Sequence, residues 1–579
     1  MRGPGRHRLS ILGAVLLFST LPARADVLAS GYLKVDTASD HASLTFLGVD
    51  GLGKGLVQEN VAEASALPGW RLEAGERELR LGSSAALQPA PWVLSVDTRH
   101  CHATLLGILD GPGSVALPAV LHLPGFGSLR LTSPERGASV GYSSGPGWIR
   151  VSFPASSAAG NPVTYRMEVT AIFPDIPGIA SDPRFDGFRR NWLDALQLNP
   201  SRGVLSNNSA SDTCGFCYYE YADIARRTPP LADGLEALDL VRQTLDAVLS
   251  GLRTCGMPSY GPPGNKGYTE ETADTLPSLL IAADDYAEGK NDRAWLHSRY
   301  PALKAMADRM LATDRNGDGL VKYVATGNSG SWNEGIPDVR PSNWWDTIGF
   351  GYEDAYANAL AYRALCGMGR LAAIDSNAYD SARFAAAATH LRAAYFPAFF
   401  NPATGRIAGW RSADHALHDY AFTFVNGIAV AYGLVPEARS REIVDNIWAE
   451  MAQSGYSRFR MGLPGNLIPV ARKDYAHKEP RFGGGHREDN ADGFQVYENG
   501  GATACFSYFF IAALNQVGET DRRDRILFPL LDAYDKREFE GTGPNRMTND
   551  WRKWDGTAEG YEGFLADNYY ALLAVAERR

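Results

Sequence analysis

The chain has 579 residues, of which 45% are hydrophobic and 21% charged, and a formal net charge of −10. That length exceeds one ordinary hydrophobic core and suffices for two or three. The composition is that of a globular protein, and its acidic balance gives no support to a nucleic-acid role, which needs clustered Lys and Arg against phosphate.

The first 25 residues read as a secretory signal. Arg2, Arg6 and Arg8 form a basic stretch, an apolar run follows from Leu9 to Leu21, and Ala23-Arg24-Ala25 has the small-residue pattern of a cleavage site. The mature chain is expected to begin at Asp26 in a periplasmic or secreted setting. No later run is long and apolar enough to predict a membrane span. All six cysteines (Cys101, Cys214, Cys217, Cys255, Cys366 and Cys505) lie beyond the signal, where disulfides are permitted. Cys214-Gly215-Phe216-Cys217 has redox-motif spacing but lacks the preceding strand and following helix of such motifs. A structural bridge or buried free thiols are the expected alternatives, and zinc lacks sufficient ligands.

Residues 26–185 are rich in short β-type runs separated by Gly, Pro and Ser. Trp92–Val96, Ala119–Leu123, Trp148–Phe153 and Tyr165–Thr170 are examples, and the pattern predicts an antiparallel β-sandwich. From 186 to 579 helical periodicity takes over. Leu238, Val241, Leu245, Val248, Leu249 and Leu252 share one helical face. Comparable segments lie near 270–288, 294–313, 352–373, 380–395, 416–433, 437–454, 498–516, 521–536 and 560–577. So many single apolar faces are buried economically by paired helices closing into an (α/α)6 toroid. The expected fold is therefore multi-domain α+β, a sandwich followed by a toroid. Two long polar, aromatic-containing loops, 314–350 and 456–497, are expected to frame the active site at one end of the ring.

The residues with chemistry cluster in and after those loops. Ser331–Asp338 carries Trp332 and Glu334, and Asn343–Thr347 carries Trp344, Trp345 and Asp346. An indole face stacks on a sugar ring, and a carboxyl beside it in a partly dry place stays protonated and acts as an acid. The second group is Tyr497-Glu498-Asn499, read as the opening of an apolar helical run, where the helix dipole keeps Glu498 ionised as a base. The third is Trp551–Gly556 with Trp554, followed by Glu562, read as a substrate-lining loop. His486, in the long loop, is a further substrate contact. Asp314, Asn316 and Asp318 begin like a calcium loop, but Ala325 stands where a bidentate Glu is required. A tight Asx turn is favoured there over a partial Ca²⁺ site, and no other metal or cofactor is expected. Gly141–Gly145 matches G-x-S-x-G without the strand–helix setting of a nucleophile elbow.

These segments resemble the six-hairpin glycosidases. "DRNGDGLVKY" from Asp314, then "GIPD" and "WWDTIGFGYEDAYANALAYRAL", are similar to a stretch of the bile-acid β-glucosidase family, which implies that Asp346 is the acid. The Trp-Asp pair also resembles the acid motif of trehalases and processing α-glucosidases. "YENGG" resembles a stretch of debranching and phosphorylase-like toroids, which points to Glu498 as base. "SGSWNEG" resembles the acid segment of debranching enzymes, so Glu334 competes with Asp346. The expected function is hydrolysis of a glycosidic bond in an oligo- or polysaccharide by a carboxylate pair, with inversion. A polysaccharide lyase using Tyr475, His477 or His486, or a glycan-binding protein without catalysis, are the alternatives.

Overall fold

The fold is that of a computed structural model. It describes residues 182–578 apart from 200–201, 208–212, 233, 253–271, 324–341, 346, 476–478, 540–549 and 561–564; ahead of residue 182 it describes the strands and a few residues beside them. The signal segment and its cleavage site lie outside the described residues.

Ahead of the helices the strands form a three-stranded antiparallel sheet, Val27–Ala29, Leu33–Thr37 and Leu44–Val49, and two six-stranded antiparallel sheets. In spatial order one contains Glu63–Ala64, Val93–Asp97, Trp148–Ser152, Ser139–Tyr142, Ser114–Ala116 and Leu109–Gly111. The other contains Trp70–Ala74, Glu78–Ser83, Thr164–Ile172, Gly127–Thr132, Ala119–Leu123 and Thr104–Leu106. The strands expected from the β-type runs are all present. The face-to-face packing that would make these sheets a sandwich rests largely on side chains outside the described residues.

Twelve α-helices follow among the described residues. They are α1 (Asp186–Asn191), α2 (Tyr218–Arg227), α3 (Ala237–Leu249), α4 (Thr275–Lys290), α5 (Arg293–Leu311), α6 (Ala355–Ile374), α7 (Ala378–Phe399), α8 (Thr423–Ala431), α9 (Glu437–Ser454), α10 (Ser507–Gln516), α11 (Thr520–Asp535) and α12 (Leu573–Ala576). Helices α2, α4, α6, α8, α10 and α12 pack in sequence and α12 returns to α2, closing an inner ring. Helices α3, α5, α7, α9, α11 and α1 lie outside it. This is the expected (α/α)6 hairpin arrangement. Inner and outer helices differ in burial: inner α4 buries every residue from Thr275 to Ala287, whereas outer α9 buries only a stripe that includes Ile443, Val444, Ile447 and Met451.

Local signals set the helix ends. Asp292 caps α5 by accepting from Trp295 N at 3.0 Å, and Asn377 caps α7 from Asp380 N at 3.0 Å. Gly455, at φ 85°, ends α9 in the left-handed region that favours glycine. Three expected helices start late or change type. The one expected at 416–433 begins at Thr423, because Trp410–Arg411 and Leu417–His418 pair as a hairpin first. The one expected at 498–516 begins at Ser507, because Glu498 to Gly500 make tight turns. The one expected at 560–577 is largely the 3₁₀ segment Ala566–Leu572, with only Leu573–Ala576 in α form.

Strand and ring are joined by buried polar contacts. His122 Nε2 lies 2.5 Å from Asp194 Oδ1 while its Nδ1 lies 2.7 Å from Ser128 Oγ. Beside them Arg130 Nε donates to Leu231 O at 2.6 Å. Because each inner helix returns through an outer one, all inner N-termini share one end of the ring. Their C-terminal halves surround a cavity of about 1030 Å³ at the other end. There Arg363 bridges Asp223 (2.6 and 2.7 Å) and Asp285 (2.8 Å), so the floor is internally neutralised.

The ring is tight where α8 meets α10. A Cβ on Gly427 would stand 2.5 Å from Phe509 C and 2.6 Å from Phe510 N, both backbone atoms. Gly427→Ala gains about 1 kcal/mol of helix propensity but must push two helices apart. A net loss of about 1–3 kcal/mol is expected in denaturant unfolding; unchanged or higher stability would show that the two helices separate freely.

Candidate active site

The inner N-terminal end gathers the chemistry-bearing residues. The stretch from Ser342 to Trp345, with Thr347 just after it, runs between helices and is wholly buried except for half-buried Trp344. Its backbone and side chains reach three carboxyls that arrive on different elements. Trp344 N donates to Asp274 Oδ2 at 2.9 Å, at the start of α4. Ser342 Oγ and Asn343 Nδ2 donate to Asp354 Oδ2 at 2.6 and 2.8 Å, at the start of α6. Thr347 N donates to Glu498 Oε2 at 2.8 Å, and the Thr347 hydroxyl makes a second, shorter bond to the same oxygen. Ala273 N also donates to Ser342 O at 2.6 Å, which fastens the stretch to the α4 entry.

Glu498 is 1% exposed. It does not open a helix, so the dipole expected to hold its charge is replaced by the two Thr347 donors. Its turn is fixed from several sides. Tyr497 at φ 47° and Gly500 at φ 84° take left-handed conformations. Asn499 accepts from Val470 N at 3.0 Å and donates to Gly483 O at 3.1 Å. Gly500 N donates to Asn466 Oδ1 at 3.0 Å, and Trp554 Nε1 to Gly500 O at 2.5 Å. Asn499 and Trp554 thus brace the turn that carries Glu498, and Tyr497 packs at 4.9 Å between ring centres on Trp551.

The two adjacent tryptophans part company. Trp344 stacks on Phe506 at 5.0 Å and on Phe216 at 5.5 Å and keeps part of its surface open. Trp345 is fully enclosed by Phe424, Phe506, Phe350, Phe422 and Trp551, so it forms the wall behind the site and offers no face to a ligand. His486 is exposed on its loop, where its backbone N donates to Asp492 Oδ2 at 2.7 Å. Asp346, Glu334, Trp332, Glu562 and His477 lie outside the described residues.

Tyr475 is 2% exposed and its hydroxyl lies against Phe482 O and 2.9 Å from Thr347 Oγ1. It serves this scaffold and faces no open space as a lyase base would. Cys214 and Cys217 are free buried thiols, the second of the two expected alternatives, and burial pushes Cys217 up. Their motif contributes Phe216 to the Trp344 stack.

The Asx turn at Asp314 accepts from Gly317 N, Asp318 N and Gly319 N at 3.0, 3.2 and 2.8 Å. The place a Ca²⁺ would take between the carboxylates is filled by the Lys322 ammonium, 3.1 Å from Asp314 and 2.5 Å from Asp318. Burial opposes ionisation of Asp318, but Lys322 and the Leu320 backbone N–H outweigh it and hold the carboxyl down at about 2. The partial Ca²⁺ site is therefore replaced by an internal ion pair. No cluster of three or more His, Cys, Asp or Glu side chains suited to a metal occurs among the described residues.

Asp274 is the residue the sequence reading missed. Burial pushes its carboxyl up to about 7 against the hydrogen bonds from Thr272 and Trp344 N, and its Oδ1 has no hydrogen-bond partner among the described residues. In sequence it looks like an ordinary helix cap before Thr275, yet it makes no side-chain cap to its own helix. Asp354 is likewise pushed up to about 6 by burial. Asp567, before α12, is pushed up to about 7 by burial, with its Oδ2 3.2 Å from Asn207 Nδ2. A carboxyl protonated near neutral pH is suited to proton donation.

A family model described as a bacterial alpha-L-rhamnosidase 6 hairpin glycosidase domain matches residues 223–509. No curated protein matches. Among solved structures, a rhamnosidase from Klebsiella oxytoca with rhamnose bound shares 14% identity over 89% of this chain and 94% of that one, with a TM-score of 0.44. An alpha-L-rhamnosidase from Streptomyces avermitilis complexed with L-rhamnose shares 15% identity over 88% of this chain and 43% of that one, TM-score 0.41. A GH63 mannosylglycerate hydrolase from Thermus thermophilus shares 13% identity over 68% of this chain and 100% of that one, TM-score 0.43.

The raised Asp274 carboxyl has a consequence for stability. Between about pH 4 and 7 the unfolded carboxyl is ionised while the folded one keeps its proton, so the Asp274 contribution to stability falls as pH rises through that window. Asp274→Asn removes this loss and keeps an acceptor for Trp344 N. Compared by urea unfolding at pH 4 and pH 8, Asp274→Asn should gain on the parent chain by up to about 4 kcal/mol at the higher pH. A relative loss at pH 8 would mean that the buried carboxylate is ionised and stabilising. A closed helical ring, with buried carboxyls converging on one stretch at its mouth, accompanies the match of residues 223–509 to a six-hairpin glycosidase domain.

Proposed function

We propose that the chain hydrolyses α-L-rhamnosides, with Glu498 as the base that activates water and Asp346 as the acid that protonates the leaving oxygen. The observation that carries this reading is the double hold of Thr347 on Glu498, because Thr347 follows Asp346 directly in the chain. Glu498 is thereby held by a residue 151 positions away that is the chain neighbour of Asp346. The matched domain supports the rhamnoside as substrate class. Half-buried Trp344 offers the apolar surface on which the methyl-bearing face of a 6-deoxy sugar stacks. Asp274, reached by Trp344 N, stands beside Asp346 and Glu334 as a third candidate for the proton donor. Inversion is favoured because the base oxygen is held by two donors rather than poised as a bare nucleophile, and it requires carboxyls roughly 6.5–9.5 Å apart to admit water.

The basic and apolar first residues support an exported protein, and the two six-stranded antiparallel sheets support a β-sandwich beside the ring, with a division near residue 185. No helix among the described residues is long and apolar enough to cross a membrane.

The test is proton NMR of the first sugar released from 4-nitrophenyl α-L-rhamnopyranoside, by the parent chain and by Glu498→Gln. The β-anomer should appear first from the parent, and Glu498→Gln should lower kcat by at least about 1000-fold, the loss of general-base assistance together with the carboxylate's charge. Full activity in Glu498→Gln would remove it from the mechanism, and first appearance of the α-anomer would replace inversion by retention.

A further inference from the structure

We infer that Thr347 is the positioning residue for the base, and that its side-chain hydroxyl, beyond its backbone N–H, fixes where the Glu498 carboxylate points. This rests on the reading of Glu498 as base. The backbone of the Glu498 turn is already pinned by Asn499, Asn466 and Trp554, so what is left to set is the side chain itself. A glutamate has three side-chain torsions, and ordering them requires contacts at the carboxylate end. Both Thr347 donors meet the same oxygen, Oε2. A second donor to Oε2 from a different direction restricts the carboxylate more than the backbone N–H does by itself.

The hydroxyl is itself held in place. Thr347 is fully buried and its β-branched side chain has few rotamers. Tyr475 Oη lies 2.9 Å from Thr347 Oγ1 and is turned by its own contact with the Phe482 carbonyl. With the tyrosine proton directed at that carbonyl, the single Thr347 hydroxyl proton is shared between Tyr475 Oη and Glu498 Oε2, and these two acceptors fix the position of Thr347 Oγ1. Tyr475 and Glu498 are the titratable groups that face the Thr347 hydroxyl among the described residues. Thr347 touches no substrate in this scheme and acts only through Glu498.

The test compares Thr347→Val, Thr347→Ser and Glu498→Gln in the full chain, by kinetics on 4-nitrophenyl α-L-rhamnopyranoside and by crystal structures of the two Thr347 variants. Valine keeps the shape and the backbone donor but not the hydroxyl; serine returns the hydroxyl. Thr347→Val should lower kcat about 10- to 100-fold, the range for one hydrogen bond to a charged group, with KM within about twofold. Thr347→Ser should recover to within about threefold of the parent. The Glu498 carboxylate should occupy more than one orientation in the valine variant and a single one in the serine variant. Equal kcat in Thr347→Val and the parent, or a Glu498 carboxylate unmoved in the valine crystal, overturns the inference. Full activity in Glu498→Gln instead defeats the base assignment, and the crystal structures then still decide whether Thr347 orients Glu498.

Discussion

Carboxyls brought by three separate elements lean on one short stretch of chain, Ser342–Trp345 with Thr347, and the arrangement of this end of the ring follows from that. Asp274 enters with α4, Asp354 with α6 and Glu498 on the turn ahead of α10, and each takes a hydrogen bond from the stretch. Buried carboxyls repel one another and lose their hydration, so they gather only where donors are supplied. Four of those donors are backbone or side-chain groups of Ser342, Asn343, Trp344 and Thr347, held in turn by the aromatic wall around Trp345.

That dependence explains the division of labour between the two ends of the ring. At the inner C-terminal end every carboxylate around Arg363 is met by a guanidinium, and the charges cancel within the cavity. At the inner N-terminal end the donors are mostly neutral N–H and O–H groups. Neutral donors orient a carboxyl without neutralising it, so burial dominates and Asp274, Asp354 and Asp567 are pushed up to about 7, 6 and 7. Burial pushes Asp285 up to about 6 at the opposite end as well, so the two ends differ in the charge of their donors and not in the direction of the shift.

Much of the fold was legible in the sequence because helical and strand periods record burial directly. Leu238, Val241, Leu245 and Val248 all face the core of α3 as their spacing predicts. The chain fell short of prediction where tertiary contacts decide. Composition marked Trp344 and Trp345 together as sugar contacts; both pack on Phe506, but Trp345 is wholly enclosed while Trp344 stays part-exposed. Glu498 was expected at a helix start, but Gly500-Gly501 signals a turn as strongly, and its donors come from Thr347. Asp274 was missed because its peculiarity, a cap acid serving Trp344 instead of its own helix, leaves no trace in local sequence. The Asx turn at Asp314 was legible, but the cation that fills it, Lys322, was not among the ligands considered.

The most direct measurement is a crystal structure of the chain with L-rhamnose bound. The account predicts a sugar ring beside part-exposed Trp344, within hydrogen-bonding reach of Glu498 at the inner N-terminal end. A sugar bound instead among Arg226, Arg363 and Glu577 in the cavity at the far end, with the Glu498 end empty, would contradict it.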